Sequence, residues 1–511
     1  MEDLDSNAQV HANSLKRKSC FLLSILVACY CLSGQPPKST DRKAQKFYDK
    51  AVAAQKERNF GEAIQLLKKA VKRDLTFSGA IVKIGNLYMR LGNDDSSYHY
   101  YKVYCSATSN PALSILETCA LMSFDRGLYE EASAFLNRLR ARDSSLVERE
   151  DLFLLQQSLA FAAEQLTNPD SINFEELPTS VNGFKLQYLP AITADGAQLF
   201  YTKRDQVSGD EDIVVSHRDG NTWTEARSVS NRINTPLNEG ACTISADGRK
   251  MIFTSCDRRD AFGSCDLYIS TKKGKYWSKP RNLGKPVNTK YWESQPALSA
   301  DGRTLYFSSL RPEGKGARDI WVSSQIDGKW SKPKNLSRIN TAKDETTPYI
   351  HSNGTSLFFS SNGYPGMGGF DLYIWNLADT AATPSNLGYP INSFRDEVAL
   401  ITASNGTDAY LAKEELKNKQ ILESKIYKLT FPEENRTPPA YYVKGIVLDK
   451  QKRTPMKALV EVYDLEIGER LFAAKSDSIT GSYFFVLPTD RKIGAYVKKE
   501  GFLFKDFSFD V

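Results

Sequence analysis

From about Ala191 to about Phe431, apolar and polar residues alternate in short runs, and the runs recur with a period of about 53 residues. Arg303-Thr304-Leu305-Tyr306-Phe307-Ser308 is one such run, and it reads as a strand with one buried face. A turn stands before each run. It is Thr193-Ala194-Asp195-Gly196, Ser245-Ala246-Asp247-Gly248 and Ser299-Ala300-Asp301-Gly302, then His351-Ser352-Asn353-Gly354 and Ala403-Ser404-Asn405-Gly406. The glycines are 52, 54, 52 and 52 residues apart. Asp-Gly and Asn-Gly predict a tight hairpin with both central residues at positive φ, so each copy is expected to open with a hairpin.

Three further markers follow in fixed order. The first begins a later strand: Asp212-Ile213-Val214-Val215, Asp266-Leu267-Tyr268-Ile269, Asp319-Ile320-Trp321-Val322 and Asp371-Leu372-Tyr373-Ile374, with only Lys425-Ile426-Tyr427 in the fifth copy. The second is Trp223-Thr224, Trp277-Ser278-Lys279-Pro280 and Trp330-Ser331-Lys332-Pro333, replaced by Thr383-Pro384 in copy four. The third is Ile233-Asn234, Val287-Asn288, Ile339-Asn340 and Ile391-Asn392, and Glu239, Glu293, Glu345 and Glu397 stand five residues after these asparagines. A repeated four-strand unit of this size predicts a propeller blade. Residues 178–432 are therefore read as a five-bladed β-propeller, with a sixth blade left open if Val181 to Tyr188 belongs to one. The repeated Asp, Trp and Glu are expected to serve turns, blade packing and bonds between blades, since a ligand site has little use for five copies.

Before the propeller the period changes. Residues 41–169 hold few glycines and prolines, and apolar residues recur at i, i+3 and i+4, which predicts helices. Asn59-Phe60-Gly61-Glu62-Ala63-Ile64 opens a second helix, with Leu67, Ala70 and Val71 on its face. Ile84-Gly85-Asn86-Leu87-Tyr88 and the turn Leu91-Gly92 follow, and Gly127-Leu128-Tyr129-Glu130-Glu131-Ala132 repeats the Gly61-Glu62-Ala63 pattern. Three units of about 34 residues fit, with residues 146–166 as a closing helix. Residues 36–43 read as a tether and residues 167–177 as a linker. After the polar, proline-flanked stretch from Pro432 to Pro439, residues 441–511 alternate again, with strands over 442–447, 458–463, 482–487 and 494–497, and suggest a small β-sandwich. The fold class is thus multidomain: an α-helical repeat domain, a five-bladed β-propeller and a small β-sandwich.

The three regions resemble known families. The helical units resemble tetratricopeptide repeats, which usually present a concave surface to another protein. The S-A-D-G turns and the later D-[IL]-[YW] strands resemble the WD-like propeller repeats of TolB-type envelope proteins. In the last region Val443, Gly445, Val447, Pro455, Asp477, Gly481, Tyr483, Phe485, Tyr496 and Gly501 resemble the carboxypeptidase regulatory-like domain, an accessory module without catalytic residues of its own. Its aspartate falls one place late here, as Asp449.

The amino-terminal stretch adds a location. Lys16-Arg17-Lys18 precedes the apolar run Phe21 to Ala28, which is too short to span a membrane and reads as a secretory signal. Leu26-Val27-Ala28-Cys29 resembles the bacterial lipobox, in which the cysteine thiol is acylated and becomes the new N-terminus. Residues 1–34 are therefore read as signal peptide, lipobox and the start of a tether, with Cys29 the lipidation residue. Cleavage before Gln35, or Cys29 as a plain apolar member of the run, stands beside that reading. No acidic run follows Cys29; in Bacteroidota lipoproteins such a run resembles a surface-export signal, so the anchor is expected to face the periplasm at the outer membrane.

Composition changes this picture little. The net charge is +6, and no long basic stripe appears along the chain, so no nucleic-acid partner is suggested. Of the eight cysteines, Cys20, Cys29 and Cys31 lie in the leader. Cys105, Cys119, Cys242, Cys256 and Cys265 include no C-x-x-C and have no nearby histidine, so no zinc site is expected. Cys256 and Cys265 bracket a loop and suit either a disulfide or two free thiols. The histidines are His11, His99, His217 and His351, and H-E-x-x-H, G-x-S-x-G and phosphate-cradling loops are missing from the sequence. No catalytic residue, no metal and no cofactor is assigned, and the ligand-binding residues stay unknown.

The order of leader, helical repeats, propeller and regulatory-like unit resembles the PorE-type envelope lipoproteins of the Bacteroidota type IX secretion system, from about Ala44 onward. The resemblance implies a non-enzymatic scaffold that links secretion proteins to the envelope, anchored to the outer membrane by lipid. Those proteins continue into an OmpA-like domain that grips peptidoglycan, so a peptidoglycan partner is expected only if such a domain follows Val511. The alternative is a soluble TolB-like module that captures a peptide or small ligand in the propeller funnel. A propeller-based hydrolase or lyase is the third reading.

Overall fold

The computed structural model describes residues 38–510, apart from Thr380, Asn418, Lys419 and residues 488–490. The chain divides into two compact units between Ala163 and Glu164. No helix among the described residues is long and apolar enough to cross a membrane.

The first unit is built from helical hairpins. The helices are α1 (Arg42–Lys56), α2 (Phe60–Arg73), α3 (Ser78–Arg90), α4 (Asp94–Ala107), α5 (Leu113–Phe124), α6 (Tyr129–Arg142) and α7 (Glu150–Thr167). The first six pair as α1/α2, α3/α4 and α5/α6. Local chemistry sets their starts. Asp41 caps α1 by accepting from the amides of Lys43 and Ala44. Asn59 caps α2: its Oδ1 accepts from the Glu62 amide, while its Nδ2 donates to the Glu62 carboxylate at 2.8 Å. Gly85 lets α3 and α4 close together, because a Cβ there would lie 2.5 Å from the Tyr101 ring. The closing helix starts at Glu150 rather than 146, since Ser144–Glu148 forms a 3-10 turn capped by Asp143.

The second unit holds the repeats. Blade 1 is Leu186–Ile192, Gln198–Arg204 and Glu211–Asp219, with the short outer pieces Thr222–Trp223 and Arg227–Ser228. Blades 2 and 3 repeat this plan from Glu239 and from Glu293, and blade 4 runs from Glu345 to Asn386. Blade 5 takes Ile401–Thr402, Asp408–Lys417 and Gln420–Thr430 from the end of the repeat region. Its outer strand comes from the beginning: Phe174–Glu176 pairs antiparallel with Gln420–Thr430, Phe174 opposite Leu429 and Glu176 opposite Tyr427. Residues 174–176 are thus part of the propeller and not of a linker.

Apolar cores between neighbouring blades show that the ring is closed. Ile213 of blade 1 packs with Phe253 of blade 2, Ile252 of blade 2 with Phe307 of blade 3, and Ile320 of blade 3 with Phe359 of blade 4. Phe358 of blade 4 packs with Leu411 of blade 5, and Tyr410 of blade 5 packs with Tyr201 of blade 1. The sixth blade that Val181 to Tyr188 left open is absent among the described residues. That stretch supplies blade 5 with its missing marker. Asn182 Nδ2 donates to the Ile426 carbonyl at 3.0 Å, and its Oδ1 accepts the Ile426 amide at 2.8 Å. Asn288 holds Leu267, and Asn340 holds Ile320, through the same pair of bonds.

The turn geometry departs from the expected one. In each copy only the glycine takes positive φ, from 64° at Gly196 to 76° at Gly354. The preceding Asp or Asn stays in ordinary backbone and holds the turn with its side-chain oxygen. Asp301 Oδ1 accepts from Ser299 Oγ at 2.5 Å and from the Arg303 amide at 3.0 Å. This is a type I turn ending in a left-handed glycine. It lies between the first and second strands of a blade, so each blade begins one strand earlier than the turn suggests.

The last region forms two sheets around one core. Tyr441–Ile446 pairs with Ser482–Leu487, and a four-stranded sheet runs in the order Arg470–Lys475, Leu459–Asp464, Lys492–Lys498, Lys505–Asp510. Val460, Val462, Phe485, Leu487, Ile493 and Ala495 are buried between them. The strands at 470 and 505 were not among those expected. This region touches the turn end of the propeller: Lys444 Nζ lies 3.4 Å from Asp195, Arg249 pairs with Asp477, and Ile479 packs on Gly274.

Candidate functional site: the propeller channel

The innermost strand of every blade is an edge strand facing the central channel. That is why proline is tolerated in three of them, at Pro190, Pro296 and Pro348, each six residues before the turn glycine. The residue just before has positive φ in all five blades: Leu189 54°, Ala241 42°, Gln295 54°, Thr347 47° and Ala399 61°. Ladder register shifts at this point in blades 1 to 4, the mark of a β-bulge.

Bonds to the preceding blade hold these strained residues. The Ala241 amide donates to Thr202 Oγ1 at 3.1 Å and the Gln295 amide to Thr254 Oγ1 at 3.2 Å. The Thr347 amide donates to Gln295 Oε1 at 3.1 Å, and the Ala399 amide to Thr347 Oγ1 at 3.2 Å. The strain therefore serves ring assembly.

The cavity these strands leave is small, about 70 Å³. Pockets for drug-sized ligands run to roughly 300–1,000 Å³. Its walls are apolar, amide and hydroxyl groups, with Leu189, Ile244, Leu298, Tyr349 and Leu400 among them. Carboxylates, imidazoles, ammonium and guanidinium groups do not line it among the described residues. Burial pushes the Cys242 thiol up to about 12, so it stays protonated at neutral pH and is a poor nucleophile. Burial likewise pushes the Tyr349 phenol up to about 12, and its hydroxyl donates to the Thr402 carbonyl at 2.6 Å.

The repeated acids lie outside the lining, tied into connecting loops. Glu293 accepts from the Thr289 amide at 2.8 Å, Thr289 Oγ1 at 2.6 Å and Ser309 Oγ at 3.0 Å. Asp266 accepts from the amides of Phe262 and Gly263 and from Asn282 Nδ2. Trp223 and Trp277 are buried in the packing between blades. Cys29 lies outside the described residues. His351 is buried in the fourth turn; Nε2 faces the Ala403 carbonyl at 3.1 Å, and burial holds its pKa below the usual imidazole range. No group of three His, Cys, Asp or Glu able to hold a metal occurs among the described residues. Cys256 and Cys265 sit opposite each other on neighbouring strands and form a disulfide.

No known family profile matches the chain, and neither does any curated protein. Among solved structures, TolB from Acinetobacter baumannii aligns at 13% identity over 54% of this chain and 70% of that one, with TM-score 0.33. The GH62 α-L-arabinofuranosidase catalytic domain of Coprinopsis cinerea aligns at 12% identity over 51% and 97%, with TM-score 0.34. An α-L-arabinofuranosidase from Lactobacillus brevis aligns at 12% identity over 50% and 93%, with TM-score 0.35. The propeller itself is established by its strand pairing and its closed set of inter-blade cores.

Proposed function

We propose that the chain is a non-enzymatic envelope scaffold. In this reading it is a lipoprotein held to the periplasmic face of the outer membrane through Cys29. Tetratricopeptide-type repeats, the propeller and a carboxypeptidase regulatory-like unit together join subunits of a type IX secretion machine to the envelope. The observation that carries the reading is the narrow channel. At about 70 Å³, with no acid–base pair in its lining among the described residues, it favours work done on the outer surfaces over ligand capture or turnover. The contacts of the carboxy-terminal β unit with the propeller turns support a connector built of fixed parts.

The test is cross-linking of the full chain in its native envelope, followed by purification and identification of partners. Outer-membrane secretion subunits are the expected products. Saturable binding of a soluble peptide or sugar, with no envelope partner cross-linked, would return the protein to the capture-module reading.

A further inference from the structure

Positive charge is dense on the first helical hairpin. Between Arg42 and Arg73 lie ten basic residues (Arg42, Lys43, Lys46, Lys50, Lys56, Arg58, Lys68, Lys69, Lys72 and Arg73) and three acidic ones (Asp49, Glu57 and Glu62), a net of +7. The whole chain carries +6. The stretch 249–290 of blade 2 carries a net +8, so the hairpin α1/α2 is one of two strongly basic stretches. The corresponding hairpins are close to neutral: residues 78–107 contain three basic and two acidic residues, and residues 113–142 contain four of each.

The fold gathers these charges onto one surface. On α1, Lys43, Lys46 and Lys50 fall at i, i+3 and i+7, so they share a face. On α2, Lys69, Lys72 and Arg73 fall at i, i+3 and i+4. The helices run antiparallel, which brings the start of α1 beside the end of α2. Arg73 bonds Asp41 at 3.3 Å, and Lys69, Lys72 and Arg73 border a shallow depression with Phe47. All six cations of the two faces are exposed. Nearby acids are spoken for: Asp41 caps α1, and Asp74 accepts from Ser39 and Thr76. Asp49 remains on the α1 face, bonded to Gln45.

We infer that the α1/α2 hairpin is a docking platform for an anionic lipid surface. Two observations select a bilayer as the occupant. The patch is a broad spread of cations around one half-buried phenylalanine and has no deep cleft, which suits a plane of headgroups. It also begins thirteen residues after Cys29, so a tether of at most about 45 Å keeps it at any membrane that Cys29 anchors. A polybasic patch beside a lipid anchor adds electrostatic attraction to an anionic surface. The placement next to the anchor rests on the lipoprotein reading; the charge and geometry of the platform do not.

The experiment uses the full-length chain bearing Cys29→Ser, so that no acyl group contributes. It is sedimented with vesicles of phosphatidylcholine alone, or with one third phosphatidylglycerol, at low and high salt. The chain is expected to bind the anionic vesicles, to ignore the neutral ones, and to be released as salt shortens the screening length. Each lysine replaced by glutamine should weaken binding about five-fold, and the quadruple variant K43Q/K46Q/K69Q/K72Q on the order of 100-fold or more. A double variant in the propeller, K275Q/K329Q, should bind as the parent does. Unchanged circular dichroism of the quadruple variant shows that the hairpin is folded. Equal binding to neutral vesicles, no binding to anionic ones at low salt, or full binding by the quadruple variant would overturn the inference; an acidic protein captured by a chain that ignores vesicles would do so too. Failure of Cys29 acylation is read separately, by the mass of the native N-terminus.

Discussion

Blades 3 and 4 occupy neighbouring places in one ring and solve the same problem differently. Each begins with a fully buried glutamate, Glu293 or Glu345. Each carboxylate accepts the same three bonds, from a threonine amide, that threonine's hydroxyl and a serine hydroxyl. In blade 3 a cation completes the site. Arg311 Nη2 lies 3.3 Å from Glu293, donates to the Val287 carbonyl at 2.7 Å, and stacks over Phe307 and Trp321. In blade 4 that place belongs to Tyr364, whose hydroxyl donates to the equivalent carbonyl of Ile339 at 2.9 Å. Tyrosine replaces the packing and the carbonyl bond but brings no charge. Burial then raises the Glu345 carboxyl to about 7 against the pull of its hydrogen bonds, and Asp319 adds to the rise. Glu397 of blade 5 is also raised to about 7 by burial, with Lys413 opposing. The lesson is that one repeat motif can seat its buried carboxylate beside a guanidinium or beside a neutral phenol, depending on a single residue two strands away in sequence.

The largest effect should come from breaking the compensated site. Arg311→Ala removes the cation beside the buried Glu293 and empties the stack, so stability should fall by about 3–5 kcal/mol, read by urea denaturation. Next comes the titrating site. The folded pKa of Glu345 is raised, so the folded state holds a proton that the unfolded state has lost between pH 4.5 and about 7. Stability from this group is full below about 4.5, falls as pH rises, and is flat above about 7. Glu345→Gln should remove about 1–3 kcal/mol of that fall, seen as closer urea midpoints at pH 5 and pH 8 than in the parent. An unchanged gap would mean that Glu345 is charged throughout. Tyr364→Phe deletes only the bond to the Ile339 carbonyl and should cost about 1–2 kcal/mol at either pH. The smallest change tests what all blades share. Ala241→Gly relieves positive φ at a bulge and should stabilise by about 1 kcal/mol or less in thermal melts, where glycine in an ordinary strand would destabilise.

Much of this architecture can be read in the residues. The five turns, the strand markers and the Asn-x4-Glu spacing are chemistry repeated at a fixed distance, and side chains that bond to backbone leave such a trace. What escaped was carried by the backbone or by context. Leu189, Ala241, Gln295, Thr347 and Ala399 share a φ and no residue type; only the prolines after three of them hint at the bulge. Closure was hidden because Phe174-Glu175-Glu176 bears no marker and because Gln187 stands where other copies have glutamate after Asn182. Gln187 still bonds across the seam, donating to the Ser424 carbonyl at 2.8 Å. The basic hairpin was masked by a modest total charge, and its surface exists only once two antiparallel helices pair. Blade 4 escaped for a similar reason, since a tyrosine in place of an arginine matters only beside a buried acid.

The central claim is that this chain works as an anchored connector. Mass spectrometry of the protein purified from a native membrane fraction tests it most directly. The account predicts an N-terminus at Cys29 carrying acyl mass, in a fraction that sediments with the outer membrane. An unmodified N-terminus at Gln35, on protein released with the soluble periplasm, would contradict it.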